Sequence, residues 1–142
     1  MLRRLFSAAC LFVFTSARLA FSQEPLTHTK DSLNTVKDNL KSGKALIVDV
    51  REQNEWDAGH LKGAILIPQS KLKAESQLAE LLKVLPKDKI MYTHCRAGGR
   101  ALTCGDILKT QGYDVRPLKA GYQELLSAGF DKAPEKQPSD KP

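Results

Sequence analysis

With 142 residues, 42% of them apolar and 27% charged, the chain has the make-up of an ordinary folded protein, with room for one domain and one core. The formal charge of +6 is partly carried by the first segment: residues 1–22 hold Arg3, Arg4 and Arg18 and no acid, so the 22 basic residues fall to 19 against 16 acidic ones beyond it. That small excess is spread along the chain, with no aromatic residues interleaved in a basic cluster, which excludes a nucleic-acid footprint.

Met1-Leu2-Arg3-Arg4, an apolar run from Leu5 to about Ala17, and small residues around Ala20-Phe21-Ser22 read as an export signal over residues 1–22, cut after Ser22. The run is too short for a comfortable membrane span, so no stable span is expected after cleavage and the destination is periplasmic or secreted. Two alternatives stay open: a lipoprotein anchored at Cys10, and a mitochondrial leader, since the segment bears arginine and lacks acid. Export is preferred because the apolar run is continuous rather than amphipathic.

Leu26-Thr27-His28 reads as a short edge strand. Thr29 is the expected N-cap of a helix with Leu33, Val36 and Leu40 on one face and Gly43 as its stop. Ala45-Leu46-Ile47-Val48-Asp49-Val50 is a continuous apolar run closing on a carboxylate, the pattern of a central strand buried on both faces of a parallel sheet. Charges just past such a strand face the ligand crevice, and Asp49 and Arg51 stand there. Glu52 to Asp57 predicts a brief helical turn with Trp56 tucked into the core. Ala64-Ile65-Leu66-Ile67 predicts a strand stopped by Pro68. Leu72, Leu78, Leu81, Leu82 and Leu85 predict one helix from about Lys71 to Leu85. Ile90-Met91-Tyr92 is a buried strand, Leu102, Ile107 and Leu108 mark a helix ended by Gly112, and Tyr113-Asp114-Val115 a last strand. Tyr122, Leu125 and Leu126 mark a last helix, and residues 131–142, rich in proline and lysine, a disordered tail. Strands alternating with helices on short connections give an α/β domain with a mainly parallel sheet.

Between the strand at 90–92 and the following helix lies Cys95-Arg96-Ala97-Gly98-Gly99-Arg100. Its glycines let backbone N–H groups curl inward as an anion nest, the helix N-terminus adds partial positive charge, and two arginines add full charges. A thiol set there is expected to be stabilised as its thiolate. The plain alternative is a buried structural cysteine beside a glycine turn, and the paired arginines argue against it. Once Cys10 leaves with the leader, Cys104 is the other cysteine. It is expected to be a small buried hydrophobe in the helix, the alternative being a resolving thiol for Cys95.

Two stretches resemble the rhodanese family of sulfurtransferases: Asp49-Val50-Arg51-Glu52 through Glu55 with Gly59-His60-Leu61-Lys62-Gly63-Ala64 and Ile67-Pro68, and the loop Cys95 to Arg100. A weaker match runs through Gly112-Tyr113, Val115 and Ala120-Gly121-Tyr122, so the likeness spans residues 26–130. It implies a rhodanese-like α/β fold in single-domain form, a five-stranded, mainly parallel sheet with helices on both faces. It also implies a Cys95 nucleophile that takes a sulfane sulfur from a small anionic donor such as thiosulfate and passes it to cyanide or a thiol, needing no metal or organic cofactor. The backbone of Arg96, Ala97, Gly98, Gly99 and Arg100 would hold the persulfide, with Arg96 greeting the donor at the mouth and Arg100 anchoring the loop and facing the anion. Asp49, Arg51 and His60 would support the site, His60 orienting the other two. His94, next to the nucleophile but on the opposite strand face, is expected to support rather than act.

Two other readings belong to different classes. A non-catalytic persulfide carrier would receive its sulfur from a partner. A cysteine phosphatase or arsenate reductase would want five residues between cysteine and arginine, and only four separate Cys95 from Arg100.

Overall fold

The computed structural model describes residues 24–135. The elements follow in the order α1 (Leu33–Lys41), β1 (Ala45–Asp49), α2 (Gln53–Asp57), β2 (Ile65–Leu66), α3 (Gln69–Leu72), α4 (Glu75–Leu82), β3 (Ile90–His94), α5 (Gly99–Thr110), β4 (Asp114–Val115) and α6 (Tyr122–Ser127). The strands make one parallel sheet in the order β2-β1-β3-β4, with Ala45 to Asp49 in register with Ile90 to His94. No helix among the described residues is long and apolar enough to cross a membrane.

Alternation along the central strands builds two cores. Val48, Val50, Met91, Cys95, Cys104 and Leu108 pack on one face, joined by Leu72 of α3 and, partly buried, Leu78 and Leu82 of α4. Val36, Ile47, Tyr92, Leu118 and Leu125 pack on the other, under α1 and α6. Both faces of β1 and β3 are therefore covered, which is why these strands read as unbroken apolar runs.

Four strands stand among the described residues where five were expected. Residues 26–28 form no strand, though just beyond them the Thr29 N–H reaches the Pro117 carbonyl at 2.7 Å. Thr29 is not the cap of α1. Ser32 takes that role, its Oγ accepting the Thr35 N–H at 3.1 Å. The single helix expected over 71–85 is two, parted by Ala74 in an extended conformation. On one straight helix Leu72 would lie about 130° round from the stripe of Leu78, Leu81, Leu82 and Leu85, so a break is needed for all to reach the core. Residues 131–133 stay on the domain. Leu61 bridges Lys132, Lys62 N–H reaches the Asp131 carbonyl at 2.8 Å, and Ala133 N–H the His60 carbonyl at 2.9 Å. The leader expected over 1–22 and the tail from 136 onward lie outside the described residues.

Candidate active site

β1 and β3 end side by side, and their C-terminal ends carry Asp49 and His94-Cys95. The crevice beyond such strand ends is where open parallel sheets bind ligands. Cys95 follows the last residue of β3 and is 2% exposed. The chain then turns through Gly98 at φ +87°, a left-handed conformation that suits glycine, and enters α5. The turn brings the Gly98 N–H onto the Cys95 Sγ at 3.1 Å. Of the amides expected to ring the sulfur, Gly98's is the one that donates to it among the described residues. Arg96, Ala97 and Gly99 are exposed at the rim.

The loop is held from two sides. Arg100, on the first turn of α5, donates to both carboxylate oxygens of Glu55 at 2.6 and 2.8 Å, tying α5 to α2. That guanidinium holds the Glu55 carboxyl down at about 2. Glu55 also accepts the Glu52 N–H, closing a reciprocal cap on α2. From the opposite side, the Cys95 carbonyl accepts the Tyr122 N–H at 2.9 Å, and Gly121 passes so close that a Cβ there would sit 1.8 Å from the Arg96 carbonyl oxygen. Gly121 has an ordinary negative φ, so close approach alone demands glycine here.

Beneath the loop lies a buried ion pair. Arg51 grips Asp49 with Nε and Nη2 at 2.6 to 3.0 Å, spends a further N–H on the Gly59 carbonyl at 2.9 Å, and stacks its guanidinium 4.2 Å over the Tyr122 ring. The two side chains are 6% and 0% exposed. Removing either would strand a buried charge, at a cost of about 3–5 kcal/mol. His94 is fully buried, with Nε2 3.7 Å from the Asp49 carboxylate and neither ring nitrogen hydrogen-bonded. Burial pushes its imidazole toward the neutral form, against the pull of Asp49. Strand parity sends Asp49 and His94 to the α1–α6 face and Cys95 to the other, so His94 has no direct line to the sulfur.

Two expectations need correction. His60 does not orient Asp49 and Arg51: its Nδ1 lies 3.1 Å from the Trp56 carbonyl, and its ring stacks on Trp56 with centroids 3.6 Å apart. The backbone carbonyl of Gly59, one residue earlier, does that work. Trp56 belongs to neither core; it is half-buried and lines a surface cavity of about 510 Å³ with Lys132 and Pro134.

Arg96 opens onto a cavity of about 390 Å³ lined by Arg51, Glu55, Gly59 and Tyr122, and also onto a groove of about 720 Å³ beside Ala97, Lys119 and Gly121. The roles of Glu55 and Tyr122 were not anticipated. Glu52-x-x-Glu55 was legible as an acid pair three apart before a short helix, but nothing in it names Arg100, 45 residues away. Cys104 sits in mid-α5, fully buried, and burial pushes its thiol up to about 11. Both cysteines are free.

A parallel α/β domain with a glycine-turned thiol loop at its strand ends defines the class. The rhodanese-like domain family matches residues 32–128, and the chain belongs to it. It is 32% identical over 104 residues to the human thiosulfate:glutathione sulfurtransferase, covering 67% of this chain and 90% of that protein. It is 35% identical over 88 residues to the probable adenylyltransferase/sulfurtransferase MoeZ of Mycobacterium tuberculosis, covering 61% of this chain but 21% of that much longer protein. Among solved structures, the human single-domain sulfurtransferase TSTD1 superposes with a TM-score of 0.56 at 28% identity, over 73% of this chain and 96% of that one.

Proposed function

We propose that the chain is a sulfurtransferase that carries a sulfane sulfur on Cys95. The observation that supports it most is the Gly98 N–H set 3.1 Å from a cysteine sulfur beneath a basic loop. The Cys95 thiolate attacks the outer sulfur of thiosulfate. A sulfur–sulfur bond to the enzyme forms, the bond to the sulfite group breaks, and sulfite leaves with the electron pair. The outer sulfur then passes to cyanide, giving thiocyanate, or to a small thiolate, giving its persulfide, and the Cys95 thiolate is regenerated. This is covalent catalysis in two half-reactions, with ping-pong kinetics.

The Gly98 N–H stabilises the anionic sulfur as an oxyanion-hole donor stabilises oxygen. Arg96, exposed at the rim, attracts the dianionic donor. The Arg100 charge is shared with Glu55, so Arg100 serves chiefly to hold the loop. The human relative named above is a thiosulfate:glutathione sulfurtransferase, which favours a small thiol as acceptor here as well. The four-residue spacing to Arg100 favours a single sulfur over a tetrahedral oxyanion, and so favours this reading over a phosphatase. We further propose that the domain works after export, on the strength of the apolar leader over residues 1–22.

The decisive experiment is the mass of the purified chain after exposure to thiosulfate alone. One added sulfur on the peptide that holds Cys95, removed by cyanide, is expected. Loading only in the presence of a partner extract would convert the protein into a passive sulfur carrier. Turnover of a phosphomonoester that is lost in Cys95→Ser would replace the reading altogether.

A further inference from the structure

We propose that His28 is a positioning residue for the Cys95 loop, holding the Gly98–Gly99 peptide and with it the Cα of the residue whose N–H faces the sulfur. The inference rests on the reading of Cys95 as the reactive thiol. Gly98 carries two jobs at once. Its N–H donates to Cys95 Sγ, while its carbonyl accepts the Leu102 N–H at 3.2 Å to start α5 and lies 3.2 Å from His28 Nε2. With the proton on Nε2, the imidazole donates to that carbonyl. Gly98 caps α5 without any side-chain bond of its own, at φ +87°, where a glycine peptide rotates most freely. A second donor on the Gly98 carbonyl, beside the Leu102 N–H, fixes the Gly98–Gly99 plane and so one side of the Cα whose other side carries the N–H facing the sulfur.

The fit around Gly98 is close. A Cβ there would stand 2.9 Å from His28 Nε2 and 2.9 Å from the Lys119 carbonyl oxygen, so the residue is clasped between the imidazole and a piece of backbone. His28 is itself fastened in place. The next residue, Thr29, donates its N–H to Pro117, and Asp31 accepts from the Tyr92 hydroxyl at 2.6 Å and from Arg116 at 2.9 Å. Those two donors keep the Asp31 carboxyl below its ordinary range, and so ionised. On the other side, Leu26 packs on α5, near enough that a Cβ on Gly105 would come within 2.9 Å of it. Leu26, His28, Thr29 and Asp31 all precede residue 32, where the match to the family model begins. The sulfur loop of this chain is thus braced by a segment 70 residues from the glycine it holds.

The test compares His28→Leu with His28→Gln in the full chain. Leucine fills the space without a donor; glutamine keeps an N–H at similar reach. The rate of Cys95 alkylation by iodoacetamide is measured, with kcat and KM for thiosulfate-supported transfer and the thermal midpoint. His28→Leu is expected to slow alkylation and kcat by about fivefold to tenfold, the worth of one oriented hydrogen bond, with KM and midpoint unchanged. His28→Gln recovers most of the loss. If leucine at this position unfolds the chain, His28→Asn, polar but too short to reach the carbonyl, takes its place. A leucine (or asparagine) variant as reactive as the wild type, or a glutamine variant no better than it, overturns the proposal. Alkylation reads the thiol whether or not sulfur is transferred. A chain whose alkylation depends on His28 but which passes no sulfur would therefore refute the sulfurtransferase reading and keep this one.

Discussion

Cys95 and Cys104 stand nine positions apart, both in the core beneath α5, and nearly equally hidden from solvent. Their surroundings differ in the groups that approach the sulfur. Cys95 lies at the end of a strand with a backbone N–H on its Sγ and an exposed arginine next in sequence. Cys104 lies in the middle of a helix whose own N–H groups are committed to that helix, among apolar side chains, and burial drives its thiol up to about 11. Exposure alone would rank them together. What separates a reactive thiol from an inert one is whether the fold brings unspent donors to it.

The comparison breaks most sharply by exchange of the sulfurs themselves. Cys95→Ser is expected to lower sulfur transfer by at least about 10³-fold, as the loss of a covalent nucleophile does, while Cys104→Ala stays within about twofold of the wild type. Peptide mass analysis after mild alkylation at neutral pH should show the adduct on the peptide that holds Cys95 and none on the peptide that holds Cys104. A Cys95–Cys104 disulfide formed under mild peroxide, seen as the loss of two hydrogens, would make Cys104 a resolving thiol and end its reading as packing.

Next in size is Gly121→Ala. The added methyl would fall 1.8 Å from the Arg96 carbonyl oxygen, a contact only a shift of backbone can relieve. Moving the loop by about 1 Å should cost on the order of 10²-fold in kcat, read by steady-state kinetics. Cys104 lies away from that contact, and its resistance to alkylation should not change. A Gly121→Ala chain with normal kcat would show that the loop position is not what distinguishes the two thiols.

How much of this contrast was legible beforehand follows from the range of the interactions. The strand, the glycine turn and the start of the helix around Cys95 are local, so hydrophobic pattern and glycine placement revealed them, and Asp49 and Arg51 followed from their place after a central strand. The apolar neighbours of Cys104 on one helix face were legible for the same reason. Partners distant in sequence were not. Nothing near Arg100 points to Glu55, and nothing near Gly98 points to His28, because each pair is made only when α2 or the N-terminal segment folds against the loop. Trp56 and His60 misled because an aromatic beside a glycine turn looks equally at home in a core or stacked over a surface cavity. The broken helix over 69–82 was within reach: the angular misfit of Leu72 was already in the spacing.

A smaller effect is expected at the rim. Arg96 is exposed and faces both the cavity and the groove, whereas the Arg100 charge is committed to Glu55. Arg96→Ala should raise KM for thiosulfate by about fivefold to tenfold, as loss of a charge-assisted contact would, and raise KM for mercaptopyruvate, with its single carboxylate, by less. The pair of KM values is the readout. Equal changes would move the donor away from Arg96.

The smallest change concerns the tether between the two thiols. Arg100 lies five residues after Cys95 and four before Cys104, and its bidentate grip on Glu55 fixes the first turn of α5. The Glu55 carboxyl titrates at about 2 in the fold against an ordinary value of 4.5. A carboxylate whose value is lowered by folding stabilises the fold above its unfolded value, and that stability is lost as pH falls from about 4.5 toward 2. Both side chains are about a quarter exposed, 28% for Arg100 and 27% for Glu55, so solvent trims the contribution to about 1 kcal/mol. Glu55→Gln should therefore lower the thermal midpoint by a few degrees at pH 7 and leave it nearly unchanged near pH 2, flattening the acid limb of the wild-type profile. At neutral pH it should slow Cys95 alkylation by about twofold to threefold, through the loosened first turn, and leave Cys104 closed. If the two profiles run parallel down to pH 2, the Arg100–Glu55 bond carries none of the loop's stability, and the order at Cys95 comes from the glycines and from the segment at His28.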